Sequence, residues 1–280
     1  MDINDFIEFL KDWVKKINNK NNQNNFIVLE EKYFPRNEDN KYHTNDEKLK
    51  CIQDPKLLFI ADNPGDNEKK HFEYLYFNAC NNIDGYFRTA GYKFNNFISE
   101  LNLKSEVVIK FNKCLISTHS TSQLTSKQID ETLDIVYSFI EKFNKVFPDC
   151  FILFSGVSGI KNGTSKFLKL YKKLDSILKK DNVGFMGHIS RKKFPDSKKC
   201  DLKNFNIIKK RYLEKYNLND FDIIKKISID YKKRLFNNKE DDAPLKCENC
   251  IFFSFCKECN DNGNSNGDDY GDCSQQIVNA

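Results

Sequence analysis

Leu57-Leu58-Phe59-Ile60-Ala61-Asp62-Asn63-Pro64-Gly65-Asp66-Asn67-Glu68 is an apolar run that stops abruptly at Asp-Asn-Pro-Gly. Uninterrupted apolar residues are what a strand needs when it is buried on both faces of a parallel sheet. Pro64-Gly65 ends the strand in a tight turn and leaves Asp62 and Asn63 at its carboxyl end. In open α/β sheets that edge is where ligands bind. An ordinary Asx-type turn would use the same residues with no ligand, so the choice between the two rests on the rest of the chain. After Glu68, the aromatics Phe72, Tyr74, Tyr76 and Phe77 crowd a stretch expected to be surface loop.

Working outward, similar strand patterns occur at Val107–Ile116, Cys150–Ser155 and Val183–Gly187. Helical spacing separates them at Phe94–Leu101, Ser126–Phe147, Lys166–Leu178 and Leu202–Tyr216. Such alternation predicts βαβ units: a three-layer α/β/α sandwich around a central, mostly parallel four-stranded sheet. Asp2–Ile17 has an amphipathic helical pattern and is expected to pack on that domain. The expected division is an α/β/α domain over 1–219, a basic linking helix over 220–245, and a Cys-rich metal-binding module with an acidic tail over 246–280. Gly156-Val157-Ser158-Gly159 follows a strand but lacks the phosphate-loop and dinucleotide-loop spacings. It reads as a tight strand-to-helix turn.

The 280 residues are 39% hydrophobic and 14% aromatic, which fits a globular chain and excludes a disordered one. No apolar run reaches transmembrane length, and Met1-Asp2-Ile3-Asn4-Asp5 lacks a signal-peptide pattern. The expectation is a soluble, cytoplasmic protein with no membrane partner, taken as a monomer. Net charge is +5, but Lys161 to Tyr216 holds 17 Lys/Arg against 5 Asp/Glu. Clustered positive charge suits a phosphate backbone, while a solvated helix face is the plainer explanation.

Taken in order, several segments resemble the active-site motifs of the uracil-DNA glycosylase superfamily. Ala61-Asp62-Asn63-Pro64-Gly65 is similar to the Gly-x-Asn-Pro-Gly of the mismatch-specific and single-strand-selective branches. It is also similar to the Gly-Glu-Ala-Pro-Gly of the iron–sulfur branches, which a Glu follows. Gly85-Tyr86-Phe87-Arg88-Thr89-Ala90-Gly91 resembles the Pro-Phe-x-x-x-Ala-Gly segment, and Asn112-Lys113-Cys114 resembles Asn-Val-Val-Lys-Cys. Thr125-Ser126-Lys127-Gln128-Ile129 stands where the family has Pro-Thr-Pro-Glu-Glu-Ile. Gly187-His188-Ile189-Ser190-Arg191 resembles the His-Pro-Ser motif with Ile189 in place of Pro. Ala61 for Gly and Ile189 for Pro are departures that leave base specificity, and retention of catalysis, open.

The resemblance implies excision of a uracil-like or modified base from DNA. Such an enzyme flips the base into a pocket and breaks its glycosidic bond through a cationic sugar. Asp62 as a carboxylate, or Asn63 by hydrogen bonding, would hold the attacking water. His188 would stabilise charge developing on the leaving base. Asn112 offers a donor and an acceptor to an imide edge. Phe77 is the stacking candidate, with Tyr74 and Tyr76 as competitors. Ser190, Arg191, Lys192 and Lys193 would meet DNA phosphates or enter the groove. Alternatives from other classes are a non-catalytic nucleic-acid-binding relative and a metal-stapled scaffold protein.

Ten cysteines are present. Cys247, Cys250, Cys256 and Cys259 form C-x2-C-x5-C-x2-C, and Cys273 follows. Paired C-x2-C steps in an intracellular chain read as metal ligation rather than as disulfides. Four of the five would hold either Zn2+ or a [4Fe–4S] cluster, with iron–sulfur slightly favoured. The cysteines of the iron–sulfur glycosylase branches lie elsewhere in the chain, so this cluster is not carried over from them.

Overall fold

A computed structural model describes residues 2–21, 26–75, 90–160, 163–187 and 219–236. At its centre are four strands, β1 (Leu57–Ala61), β2 (Val108–Asn112), β3 (Phe151–Ser155) and β4 (Val183–Met186). They form one sheet in the order β2-β1-β3-β4. Every pairing is parallel: Leu57 stands opposite Val108 and Phe151, and Ile152 opposite Val183. All residues of β1 and β3 are buried, which is why both read as unbroken apolar runs. The expected α/β class is observed, with helices on both faces of the sheet.

The first helix, α1 (Ile3–Asn18), begins with a reciprocal cap. The Asp2 carboxylate accepts from the backbone N–H groups of Asn4 and Asp5, and Asp5 accepts from that of Asp2. Phe6, Leu10, Trp13 and Ile17 form its buried stripe, which faces α5 (Ser126–Val146). The Trp13 indole N–H donates to the Ile135 carbonyl at 2.8 Å. Phe139 of α5 stacks 4.0 Å from Phe111 of β2, so α1 and α5 cover one face of the sheet. On the same face, Tyr171 of α6 (Leu168–Lys173) packs against Phe154 of β3.

The helix expected over Lys166–Leu178 is broken at Leu174, which is fully buried and has non-helical ψ. A second short helix, α7 (Asp175–Leu178), follows it. Two further short helices, α2 (Asp46–Lys50) and α3 (Asp66–His71), lie before and after β1.

The opposite face is covered by α4 (Ala90–Glu100) and α8 (Asp220–Phe236). Phe94 of α4 sits 4.7 Å from Phe59 of β1. Residues 220–245 were expected to form a linking helix, and here the reading changes. Over its described length the segment is α8, which packs along β4 and buries Ile223, Ile224 and Ile227. Its apolar stripe covers the edge strand, so it belongs to the sheet's own cover. Gly184 makes the approach possible, since a Cβ there would lie 2.7 Å from the Ser228 Cβ. No helix among the described residues is long and apolar enough to cross a membrane. Residues 246–280 and Leu202–Tyr216 lie outside the described residues.

Candidate active site

The connection after β1 runs to β2 on one side, and the connection after β3 runs to β4 on the other. The carboxyl ends of β1 and β3 therefore border the crevice where strand order reverses, the usual ligand position of such sheets. Asp62 follows β1 there and Gly156 follows β3. Gly156 has φ of +89°, and a Cβ on it would lie 2.5 Å from Asp62 Oδ1. The glycine both adopts a left-handed backbone and leaves room for the carboxylate.

Asp62 is ion-paired with Lys113, the residue just past the end of β2. Lys113 is fully buried. Its Nζ donates to the carbonyls of Ser155 at 2.7 Å and Gly156 at 3.0 Å, and to the Tyr171 hydroxyl at 3.2 Å. The ammonium also lies 4.7 Å from the centre of the Phe167 ring. Burial opposes the charge on Lys113, but Asp62 and Tyr171 outweigh it and hold its pKa above the ordinary lysine value. Burial raises the pKa of Tyr171, keeping its hydroxyl protonated.

Asn63 has a different job from its neighbour. Its Nδ2 donates to the Pro64 carbonyl at 3.0 Å and the Thr118 hydroxyl at 2.9 Å, while its Oδ1 accepts from Thr121 at 2.8 Å. Both donors are thus committed to holding the turn against the loop that follows β2. Glu68 likewise shapes the turn: its carboxylate accepts from the backbone N–H groups of Gly65 at 2.6 Å and Leu75 at 2.7 Å. At the rim, His119 Nδ1 lies 2.6 Å from Asp66 Oδ2, and both side chains are exposed.

Asn112 ends β2 directly opposite Ala61. Its side chain is fully buried, yet neither Oδ1 nor Nδ2 has a hydrogen-bond partner among the described residues. Leaving a buried polar group unsatisfied costs about 1–3 kcal/mol. An amide kept at that cost is an unusual feature for a strand end, and a ligand edge would satisfy it; alternation along the strand puts it on the sheet face opposite Lys113 and Asp62.

Other expected site residues fall differently. Tyr74, a stacking competitor, is 2% exposed and donates its hydroxyl to the Val28 carbonyl at 2.5 Å. It is a core residue, because its polar tip finds a backbone partner inside. Phe77, Tyr76, His188, Ser190, Arg191, Lys192 and Lys193 lie outside the described residues, as do Cys247, Cys250, Cys256, Cys259 and Cys273. Among the described residues no group of His, Cys, Asp and Glu is arranged to hold a metal ion.

The basic stretch is partly spent on internal contacts. Lys169 and Lys173 pair with Asp130 and Asp134 of α5, and Lys179 pairs with Asp175. Lys166 donates to the carbonyls of Thr121, Ser122 and Leu124. The three ion pairs are solvent-exposed and contribute little, whereas Lys166 ties down the loop before α5.

Lys113 is the residue that the sequence motifs contained without revealing its role. A lysine after an apolar run reads as solvated, and only the spatial placing of Asp62 and Ser155 shows otherwise. No protein-family model matches the chain, and no curated protein matches it.

Proposed function

We propose that the chain is a DNA glycosylase-like enzyme that hydrolyses the N-glycosidic bond of a flipped uracil-like or modified base. The observation that carries this reading is the Asp62 carboxylate, paired with the buried Lys113 at the switch point of the sheet, with the buried, unpartnered amide of Asn112 ending the neighbouring strand. An amide offers one donor and one acceptor in a plane, which matches the edge of an imide base. Asp62 faces the sugar side. Its negative charge favours the cationic sugar of the transition state and holds the incoming water.

Bond making and breaking then balance simply. The bond from C1′ to the base nitrogen breaks with its electron pair leaving on the base. A water oxygen bonds to C1′, and the departing base ends protonated. On this reading His188 supports the anionic base, Phe77 stacks on it, and Ser190, Arg191, Lys192 and Lys193 meet the DNA. The complete protein would be an α/β/α sandwich with a metal-stapled C-terminal extension. Thiolates of Cys247, Cys250, Cys256, Cys259 and Cys273 suit either Zn2+ or a [4Fe–4S] cluster, and metal analysis with a visible spectrum separates the two.

One observation favours a second reading, a non-catalytic nucleic-acid-binding relative. The Asp62–Lys113 pair alone would suffice as a structural tie between strands. An abasic-site assay on uracil-, hypoxanthine- and mismatch-containing oligonucleotides separates the two. Release of a base supports the enzyme; salt-sensitive binding with no release supports the relative.

A further inference from the structure

We propose that Lys113 is a positioning residue that keeps Asp62 ionised and aimed, so that Asp62 acts as a water holder and electrostatic partner rather than as a titrating general base. The inference rests on the glycosylase reading and assigns a role to a residue that never touches substrate.

Three features carry it. First, the ammonium is fixed. Its three protons face the Ser155 and Gly156 carbonyls, the Tyr171 hydroxyl and Asp62, and none is left over for a leaving base. Lys113 is therefore not the acid of the reaction. Second, the contact is dry. The Lys113 side chain is 0% exposed and that of Asp62 13%, so solvent screens the pair little. Third, Gly156 removes the one side chain that would push the carboxylate off this contact.

A carboxylate held against an ammonium is a poor proton acceptor but a good partner for a cation. Base excision needs the second property more. The sugar becomes positive before water adds. Once the new C–O bond has formed, the added oxygen is strongly acidic, and its proton leaves to Asp62 or to solvent without strong basicity being required. Lys113 and Tyr171 both act on this carboxylate and on each other.

The test uses the full, metal-loaded chain and whichever oligonucleotide of the uracil, hypoxanthine and mismatch panel it processes. Base release is measured from about pH 5 to about pH 8 for wild type, Lys113→Met and Asp62→Asn. Without its counterion the buried carboxylate takes a proton within that range. The rate of Lys113→Met relative to wild type is therefore expected to drop about tenfold or more from the top of the range to the bottom. Any ionisation that both proteins share cancels in that ratio. A ratio independent of pH overturns the role of Lys113 and leaves the glycosylase reading standing. Absence of release by wild type on every substrate overturns that reading itself. Should Lys113→Met fail to fold, the wild-type to Asp62→Asn ratio decides. A constant ratio supports an Asp62 that never protonates in the range, and a ratio that collapses toward low pH overturns the proposal.

Discussion

The Asp62 carboxylate and the Lys113 ammonium form an ion pair across the carboxyl ends of β1 and β2, with Lys113 fully buried and the Asp62 side chain 13% exposed. The lysine enters from β2 and reaches beneath β1 to the carbonyls of Ser155 and Gly156. Three strands thus converge on one ammonium. Removing one partner of such a buried pair destabilises by about 3–5 kcal/mol, whereas neutralising both is far milder. Unfolding in urea is expected to show Asp62→Asn/Lys113→Met closer to wild type than Lys113→Met alone. A double variant whose loss equals the sum of the single losses would show that the two charges do not interact.

Asn112 should display a conflict between stability and activity. Asn112→Leu removes the unsatisfied amide and is expected to raise the unfolding free energy by about 1–3 kcal/mol while abolishing base release. Thermal unfolding and the release assay, run on the same protein, check both halves. A variant less stable than wild type would mean the amide has partners in the folded chain.

Asp62→Asn keeps the size of the side chain and removes its charge. Base release is expected to fall by about 100-fold to 10,000-fold with little change in DNA binding. Asn63→Ala should behave differently. Its amide ties the turn to Thr118 and Thr121, so the loss should register first as lower stability. Comparing release per folded molecule in the two variants tells the water holder from the turn former.

Gly156→Ala forces a Cβ into the Asp62 carboxylate at a backbone angle that side chains rarely adopt. The left-handed conformation alone costs about 1–3 kcal/mol. The clash adds to it, and part of the cost should vanish in an Asp62→Gly background, where the carboxylate is gone. Urea midpoints of the two single variants and the double variant measure that coupling.

Stability should also fall on the alkaline side. Burial pushes the hydroxyls of Tyr33 and Tyr42 up to about 12 from an ordinary 10.0. The unfolded chain releases these protons from pH 10.0 upward while the folded chain holds them, so rising pH through that window favours unfolding. Each group is worth about 2–3 kcal/mol across the window. In Tyr42→Phe the decline in unfolding free energy over that range should be shallower. An equal slope would place the Tyr42 hydroxyl in water.

Much of the fold was legible because β1 and β3 are buried on both faces, and burial on both faces writes itself as an unbroken apolar run. The stripe of α1 was equally plain, since Phe6, Leu10, Trp13 and Ile17 recur at helical spacing. The strand expected over Val107–Ile116 is assigned only to Asn112, although backbone bonds to the β1 side continue from Lys113 to the Ala61 carbonyl and from Cys114 to the Asp62 carbonyl. Nothing local marks the inward course of the Lys113 side chain; its partners lie on β1 and β3. The different surroundings of Asp62 and Asn63 were hidden in the same way. Adjacent in sequence, they are told apart by Lys113 on one side and by Thr118 and Thr121 on the other. Tyr74 read as loop because its partner, the Val28 carbonyl, comes from an irregular segment far back in the chain.

The most direct measurement is base release by the metal-loaded wild-type chain on uracil-, hypoxanthine- and mismatch-containing oligonucleotides, scored as strand cleavage at abasic sites. The expected result is cleavage on at least one substrate that Asp62→Asn and Asn112→Leu both lose. Intact oligonucleotides throughout, or release that survives both substitutions, would contradict the assignment of this sheet edge as a base-excision site.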